Sequence, residues 1–397
     1  MGREYAQMLH GLCCAALFPP RGACGTMSSK NSTIWAAEPH TIAKIEMLRS
    51  YLYQWFSILG TTFKGKDLWY IDGFAGPGEY TNYAQGSPLA ALNAAEEAMM
   101  KAGPRWAAGD IHCLFIEEDE ARFKHLKRKL DEIAAKPRIF SRSFHGKFVD
   151  GHLWLKGELK NPFTTSNPVF AFIDPFGPRG LSFKVVKDLL SRRACEVLVN
   201  LDSDGVSRIY RAGDNANHRE LLNDVFGGDA WERELAGVPQ QEAVRRVVAL
   251  YKKSLRSLPD VKYTFSFEMR KKSDIFDYHL VFASQHAKGL ERMKEVMKKI
   301  DKSGSYCFSD GDFGQQHLFT FDDPAVAADQ LFKHFSGSTI DYSDINTYAL
   351  NESPFPNPKS MLNLLERAGR ILVNSGGQQR MKNTFPDRLH DVIRVSF

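Results

Sequence analysis

The feature that most constrains this chain is the run Leu68-Trp69-Tyr70-Ile71-Asp72, followed at once by Gly73-Phe74-Ala75-Gly76-Pro77-Gly78. A short stretch rich in aromatic and branched side chains reads as a buried strand, and the glycines read as a tight turn at its carboxyl end. Such a strand must be hidden on both faces, which calls for a parallel sheet covered by helices. The neighbouring segments supply that pattern. Ile42, Ile45, Leu48, Leu52, Trp55, Phe56 and Leu59 recur at helical spacing, predicting a helix from Pro39 that Gly60 closes. After the turn come a helix at SPLAALNAAEEAMMKA, a strand at 111–117, and an amphipathic helix with Phe123, Leu126, Leu130 and Ile133 inward. Strands at RIFSRSF, PVFAFID and CEVLVNL follow, with a helix at SFKVVKDLLSR.

Residues 204–258 read as a mainly helical insertion. YTFSFEMR and YHLVFASQ then give two more strands, too close together for a crossover helix and therefore antiparallel. The count is seven strands. Beyond 304 the composition changes: GSYCFSDGDFGQQ is loop-like, and helices at PAVAADQLFKHF and KSMLNLLERAG precede RILVN, a basic glycine-containing loop and HDVIRVSF. Helix, strand, long basic turn and strand match the end of a winged helix, with Arg367, Arg370, Arg380, Lys382, Arg388 and Arg394 placed to meet a nucleic-acid backbone, or equally a small protein-contact domain with an exposed loop. The expected organisation is a disordered or misassigned N-terminal extension at 1–34, an α/β domain at 35–303 and a helical, winged-helix-like domain at 304–397.

Composition excludes the non-globular classes: 43% hydrophobic and 25% charged residues suit neither a disordered nor a collagen-like chain, and no apolar run is long enough to span a bilayer. The net charge, 52 − 47 = +5, permits a polyanionic partner without announcing one. Six cysteines without a CxxC pair or metal-ligand spacing point to no metal site and to a reducing, cytoplasmic setting.

The chemistry sits at the strand ends. Glycines at 73, 76 and 78 let a ligand approach the backbone where open α/β sheets bind nucleotides, but their spacing fits neither the dinucleotide fingerprint nor a phosphate loop. Hydride transfer with a dinucleotide is disfavoured accordingly. Glu117 ends the second strand, where a carboxylate can accept both hydroxyls of a ribose, although acids there also suit a helix start. Asp174-Pro175-Phe176-Gly177 ends the fourth. A carboxylate and the Pro175 carbonyl could hold an exocyclic amine while an aromatic ring stacks on its base, and the same residues also make an ordinary turn. Asn200, Asp202 and Arg208 lie at or after the end of the fifth strand and could line the pocket, but an Asn capping a strand end is as good a reading.

Together these blocks resemble amino methyltransferases that use S-adenosylmethionine, particularly ribosomal-RNA adenine methyltransferases, with Tyr80 and Gly86-Ser87-Pro88 extending the match. A closer resemblance is to the bacterial three-Cys-motif partner (TcmP) proteins. It rests on His40 to Trp55, YIDGFAGPGEY at 70–80, GSPLAAL at 86–92, FIEED at 115–119, FIDPFG at 172–177, CEVLVN at 195–200, YHLVFASQHAKGLERMK and FPD. The resemblance implies a Rossmann-like seven-stranded methyltransferase sheet, S-adenosylmethionine as cofactor, and a partner with three cysteines of the iron-sulfur, radical S-adenosylmethionine kind. It places cofactor contacts at Asp72, Gly73, Phe74, Gly76, Gly78 and Glu117, and the catalytic group at Asp174, Pro175 and Phe176. His40 and Lys44 fall within the matched region but read as a cap or surface pair on the first helix. One departure bears on activity: the Asp/Asn-Pro-Pro-aromatic tetrad of the amino methyltransferases is here Asp174-Pro175-Phe176, one residue shorter. A methyltransferase-shaped subunit without catalysis is therefore the alternative reading.

Overall fold

The computed structural model describes residues 33–151, 166–213, 215–270, 276–301, 305–309 and 323–397. The extension expected at 1–34 thus lies, except for its last two residues, outside the described residues.

The seven strands foreseen in the sequence build one mixed sheet. They are β1 (Leu68–Asp72), β2 (Ile111–Glu117), β3 (Ile139–His145), β4 (Val169–Ile173), β5 (Cys195–Leu201), β6 (Tyr263–Arg270) and β7 (Phe276–Ser284). Its order is β3-β2-β1-β4-β5-β7-β6-β8, with β1 to β5 all parallel and β7 antiparallel to both neighbours. The strand β8 (Cys307–Ser309) was not expected, because its three residues lie in a polar, glycine-rich stretch. It forms through backbone pairing with Glu268–Arg270 at the sheet edge, and pairing of that kind leaves no hydrophobic pattern to read.

Side chains alternate across the sheet. Trp69, Ile71, Leu114, Ile116, Ala171, Val197 and Val199 enter one core, while Tyr70, Cys113, Phe115, Phe170, Phe172 and Leu198 enter the other. The second core is closed by α1 (Pro39–Thr62) and α2 (Ser87–Ala102). Ala90, Ala91, Ala94, Ala95 and Ala98 on α2 are fully buried, and their small side chains let the two helices approach closely. Gly60 does not close α1. It lies inside the helix, where a Cβ would stand 2.2 Å from the Trp106 ring, so its requirement is packing. Helix α3 (Glu120–Glu132) is capped by Asp119, whose carboxylate accepts the Arg122 N–H at 2.9 Å. Leu126 and Leu130 are inward as expected, Phe123 is half-buried, and Ile133 is exposed because the helix ends before it.

The first core is covered by α4 (Phe183–Leu190) and the insertion helices α5 (Ser203–Arg211), α6 (Ala216–Phe226), α7 (Ala230–Leu235) and α8 (Gln240–Arg256). Helix α9 (Ala287–Ile300) follows β7.

The C-terminal residues have a core of their own. Leu331, Ile345, Leu362, Leu365, Ile393 and Val395 come together from α10 (Pro324–Phe335), α11 (Tyr342–Glu352), α12 (Lys359–Arg367) and the last strand. Strands β9 (Thr339–Asp341), β10 (Leu372–Asn374) and β11 (Arg394–Ser396) form an antiparallel sheet in the order β10-β11-β9. The join to the main sheet buries Leu350 of α11 in the second core and also a cation. Lys294 of α9 is fully buried and donates to the carbonyls of Ser353 at 2.6 Å and Phe355 at 3.1 Å, and burial pushes its pKa well down. Among the described residues, no helix is long and apolar enough to cross a membrane.

Candidate functional site

Strand order reverses between β1 and β4, and Asp72 and Asp174 end those two strands. In an open α/β sheet the crevice outside this switch point is the ligand position.

Asp72 is fully buried, accepting the Phe74 N–H at 3.3 Å and the Tyr70 hydroxyl at 3.2 Å. Burial pushes its carboxyl up to about 7; the charge of Asp174 adds to this, while hydrogen bonds from Ser87, Phe74 and Tyr70 oppose it. The glycines of the turn divide by role. A Cβ on Gly73 would meet the Phe148 ring at 2.8 Å, so that glycine accommodates the protein's own core. Gly76 has φ +61° and nothing within 4 Å of a built Cβ, so its backbone borders open space. Gly78 accepts the Gly86 N–H at 2.7 Å, tying the turn to the start of α2. Phe74 packs its ring 5.7 Å from Phe148, which leaves only its backbone in the turn.

Glu117 sits across the turn from Gly76. It is 6% exposed, with Oε2 accepting the Gly76 N–H at 2.8 Å and Oε1 accepting the Asp119 N–H at 2.9 Å. Burial raises its pKa, and these two amides together with Arg122 hold it back. Each oxygen keeps a further lone pair, so the carboxylate that fixes the turn can still accept two hydroxyls.

The group around Asp174 departs from expectation. Lys44 Nζ donates to Oδ2 at 2.5 Å and Asn200 Nδ2 donates to Oδ1 at 2.5 Å. Lys44 and His40 lie one turn apart on α1, both 7% exposed, and Tyr278 packs against the two of them. Lys44 is therefore part of the site, and the two are a buried pair rather than a surface one. The Pro175 carbonyl accepts the Gly177 N–H at 3.0 Å. Tyr80 lies near both acids: burial raises its hydroxyl well above the usual range, and the charges of Asp174 and Asp72 add to that.

Phe176 is 71% exposed. The Arg122 guanidinium lies 5.0 Å from its ring and 5.0 Å from that of Trp35, and Trp35 packs edge-on to Tyr80 at 5.7 Å. An aromatic and guanidinium cluster thus stands beside the turn. Asp202 caps a helix through Oδ1, which accepts the Gly205 N–H at 2.7 Å, while its Oδ2 lies beside Gly177 at the end of the Asp174 turn; Arg208 pairs with Asp204 on the surface.

The basic tail is less available than its sequence implies. Arg380 pairs with Glu366 out of solvent, Arg370 with Asp329, and Arg394 with Asp341 at 2.8 Å; Arg388 donates to the Gln379 carbonyl.

The fold and this crevice define a Rossmann-like α/β protein with a carboxylate-lined cleft at its switch point. No family model matches the chain, and no curated protein matches it. Among solved structures it is similar to an O-methyltransferase from Bacillus cereus in complex with SAH, at 11% identity and TM-score 0.33 over 59% of this chain and 80% of the other. It is also similar to the cyclopropane synthase MmaA2 from Mycobacterium tuberculosis, at 11% identity and TM-score 0.24 over 66% of this chain and 70% of the other. These likenesses are loose.

Proposed function

We propose that this chain is an S-adenosylmethionine-dependent methyltransferase acting on the amino group of a nucleic-acid base, adenine foremost, together with an iron-sulfur three-Cys-motif protein. The observation that carries the cofactor reading is the coupling of Gly76 to Glu117: open space beside the glycine, and a carboxylate with two lone pairs left for a ribose. When bound, S-adenosylmethionine supplies a methyl group on a sulfonium, open to in-line attack. The chain's own part is alignment and removal of water. Glu117 holds the ribose, Gly76 and Gly78 give backbone approach, and Asp72 favours a cationic end. Trp35, Arg122 and Phe176 suit a stacked base, since rings and guanidinium planes are what single-stranded nucleic acid stacks on.

The rest of the reading follows the family resemblance. The unit expected at 35–303, with its insertion at 204–258, is the methyltransferase-like one and extends to β8, which pairs in its sheet; the winged-helix-like unit expected at 304–397 then takes the residues from Asp323 onward, a reading supported by three helices and a β10-β11-β9 sheet. Cys113 and Cys195 are free and buried, which suits a reducing cytoplasm. The test is calorimetric titration with S-adenosylmethionine, followed by transfer of tritiated methyl to purified cellular RNA and DNA. Binding and transfer to nucleic acid are expected; absence of binding would overturn the reading.

One observation favours a second reading, a binding subunit without catalysis. Both Asp174 oxygens and the Pro175 carbonyl already hold donors from the chain. Cofactor binding with a stable three-Cys-protein complex, but no transfer to any cellular polymer, would put that reading first.

A further inference from the structure

The acceptor expected to orient the methylated amine is already engaged, and the same cluster holds one that is not. Asn200 gives its amide nitrogen to Asp174 Oδ1 at 2.5 Å. The carboxylate only accepts, so this bond fixes which way the amide points: Nδ2 faces Asp174 and Oδ1 faces away. That Oδ1 atom is buried and accepts no hydrogen bond among the described residues. A buried acceptor left unmatched is costly and calls for a partner, which a water or a ligand can supply.

We propose that Asn200 is the catalytic residue that accepts a hydrogen from the methyl-receiving group, and that Lys44 and Asp174 are the pair that positions it. This deepens the methyltransferase reading and rests on it. Lys44, 7% exposed, places a cation on Asp174 Oδ2, so the carboxylate is locked from one side while it locks the Asn200 amide from the other. The arrangement also selects the substrate class. An amide oxygen takes a neutral N–H or O–H, and an ammonium brought to it would face the charge of Lys44. A lysine side chain is therefore disfavoured, and the neutral exocyclic amine of a base, stacked beside Phe176, is favoured. In the transfer the nitrogen lone pair forms the N–CH3 bond as the S–CH3 bond breaks, the electron pair of that bond remaining on sulfur. One N–H stays on Asn200; the other proton leaves the methylated nitrogen for water, because an amide oxygen is not a base.

The test uses the full chain with single-stranded oligoadenylate, and the same oligomer carrying purine, which lacks the amine, in place of adenine. Asn200→Leu, Lys44→Met and Lys44→Arg are compared with wild type by cofactor calorimetry, oligomer binding and methyl transfer. The expected results are unchanged cofactor binding in all three and an approximately tenfold or greater loss of transfer in Asn200→Leu. Asn200→Leu should also lose the preference for adenine over purine. Lys44→Met should lose transfer, and Lys44→Arg should restore most of it. Wild-type rates in Asn200→Leu, with cofactor binding intact, would overturn the role of Asn200 and leave the methyltransferase reading standing. A wild type that binds no cofactor, or transfers no methyl to oligoadenylate or cellular nucleic acid, would overturn that reading and this inference with it.

Discussion

Replacing Asp72 with asparagine removes a buried acid at the turn without changing its shape. Its carboxyl is raised from 3.8 to about 7, chiefly by burial. At about 1.36 kcal/mol per unit, keeping it ionised above neutrality costs the folded state on the order of 4 kcal/mol. The sign follows from proton counting. Between about pH 4 and 7 the folded chain holds a proton that the unfolded chain has released, so this group's contribution falls as pH rises through that window and is flat above it. Asparagine still accepts the Phe74 N–H through its oxygen, and its nitrogen can donate to the Tyr70 hydroxyl. Asp72→Asn should therefore gain little at pH 5 and on the order of 2–4 kcal/mol at pH 8, read from denaturant midpoints. Glu117 and Glu196 are also raised by burial, but they are common to both proteins and cancel in the difference. An equal difference at pH 5 and pH 8 would refute the reasoning. A second consequence concerns function: a cationic ligand end beside Asp72 favours its ionised form. Cofactor binding near neutrality should then release a proton in wild type, seen as a buffer-dependent heat, and not in the variant.

Glu117→Gln replaces an oxygen with a donor, so either the Gly76 or the Asp119 amide loses its acceptor; calorimetry should show cofactor affinity falling roughly tenfold to a hundredfold. Phe176→Ala, at a residue 71% exposed, should leave the thermal midpoint within a degree or two and weaken oligonucleotide binding by about 1–3 kcal/mol in an anisotropy titration. Arg380→Ala strands Glu366 without its partner and should cost about 3–5 kcal/mol of stability by denaturant unfolding; a loss of nucleic-acid affinity with unchanged stability would contradict its place in that pair.

The sheet was legible because its strands are buried on both faces. LWYID, IHCLFIE, VFAFI and CEVLVNL are near-continuous apolar runs, and the short link between β6 and β7 admits only an antiparallel pair. β8 was not legible, since edge pairing is made by backbone atoms that any sequence carries. At the site, Glu117 and Gly76 were readable from their positions at strand ends. Lys44 was passed over because a cation on an amphipathic helix usually faces water, and nothing local shows that the sheet places Asp174 against it. Asn200 was seen as a strand-end residue, but its free oxygen depends on which way Asp174 turns its amide, a fact of tertiary geometry alone. The pairing of the basic tail was not legible either, because a count of arginines does not show that Arg370, Arg380 and Arg394 each have a carboxylate of their own.

The most direct test of the cofactor pocket is calorimetric titration of the chain and of Gly76→Arg with S-adenosylmethionine and S-adenosylhomocysteine. A side chain at Gly76 enters the open space beside Glu117, from a backbone conformation that already disfavours one. Binding of both compounds by the wild type and loss of both in a folded variant is the predicted result. Equal binding by the two proteins, or none by the wild type, would contradict the placement of the cofactor at this turn.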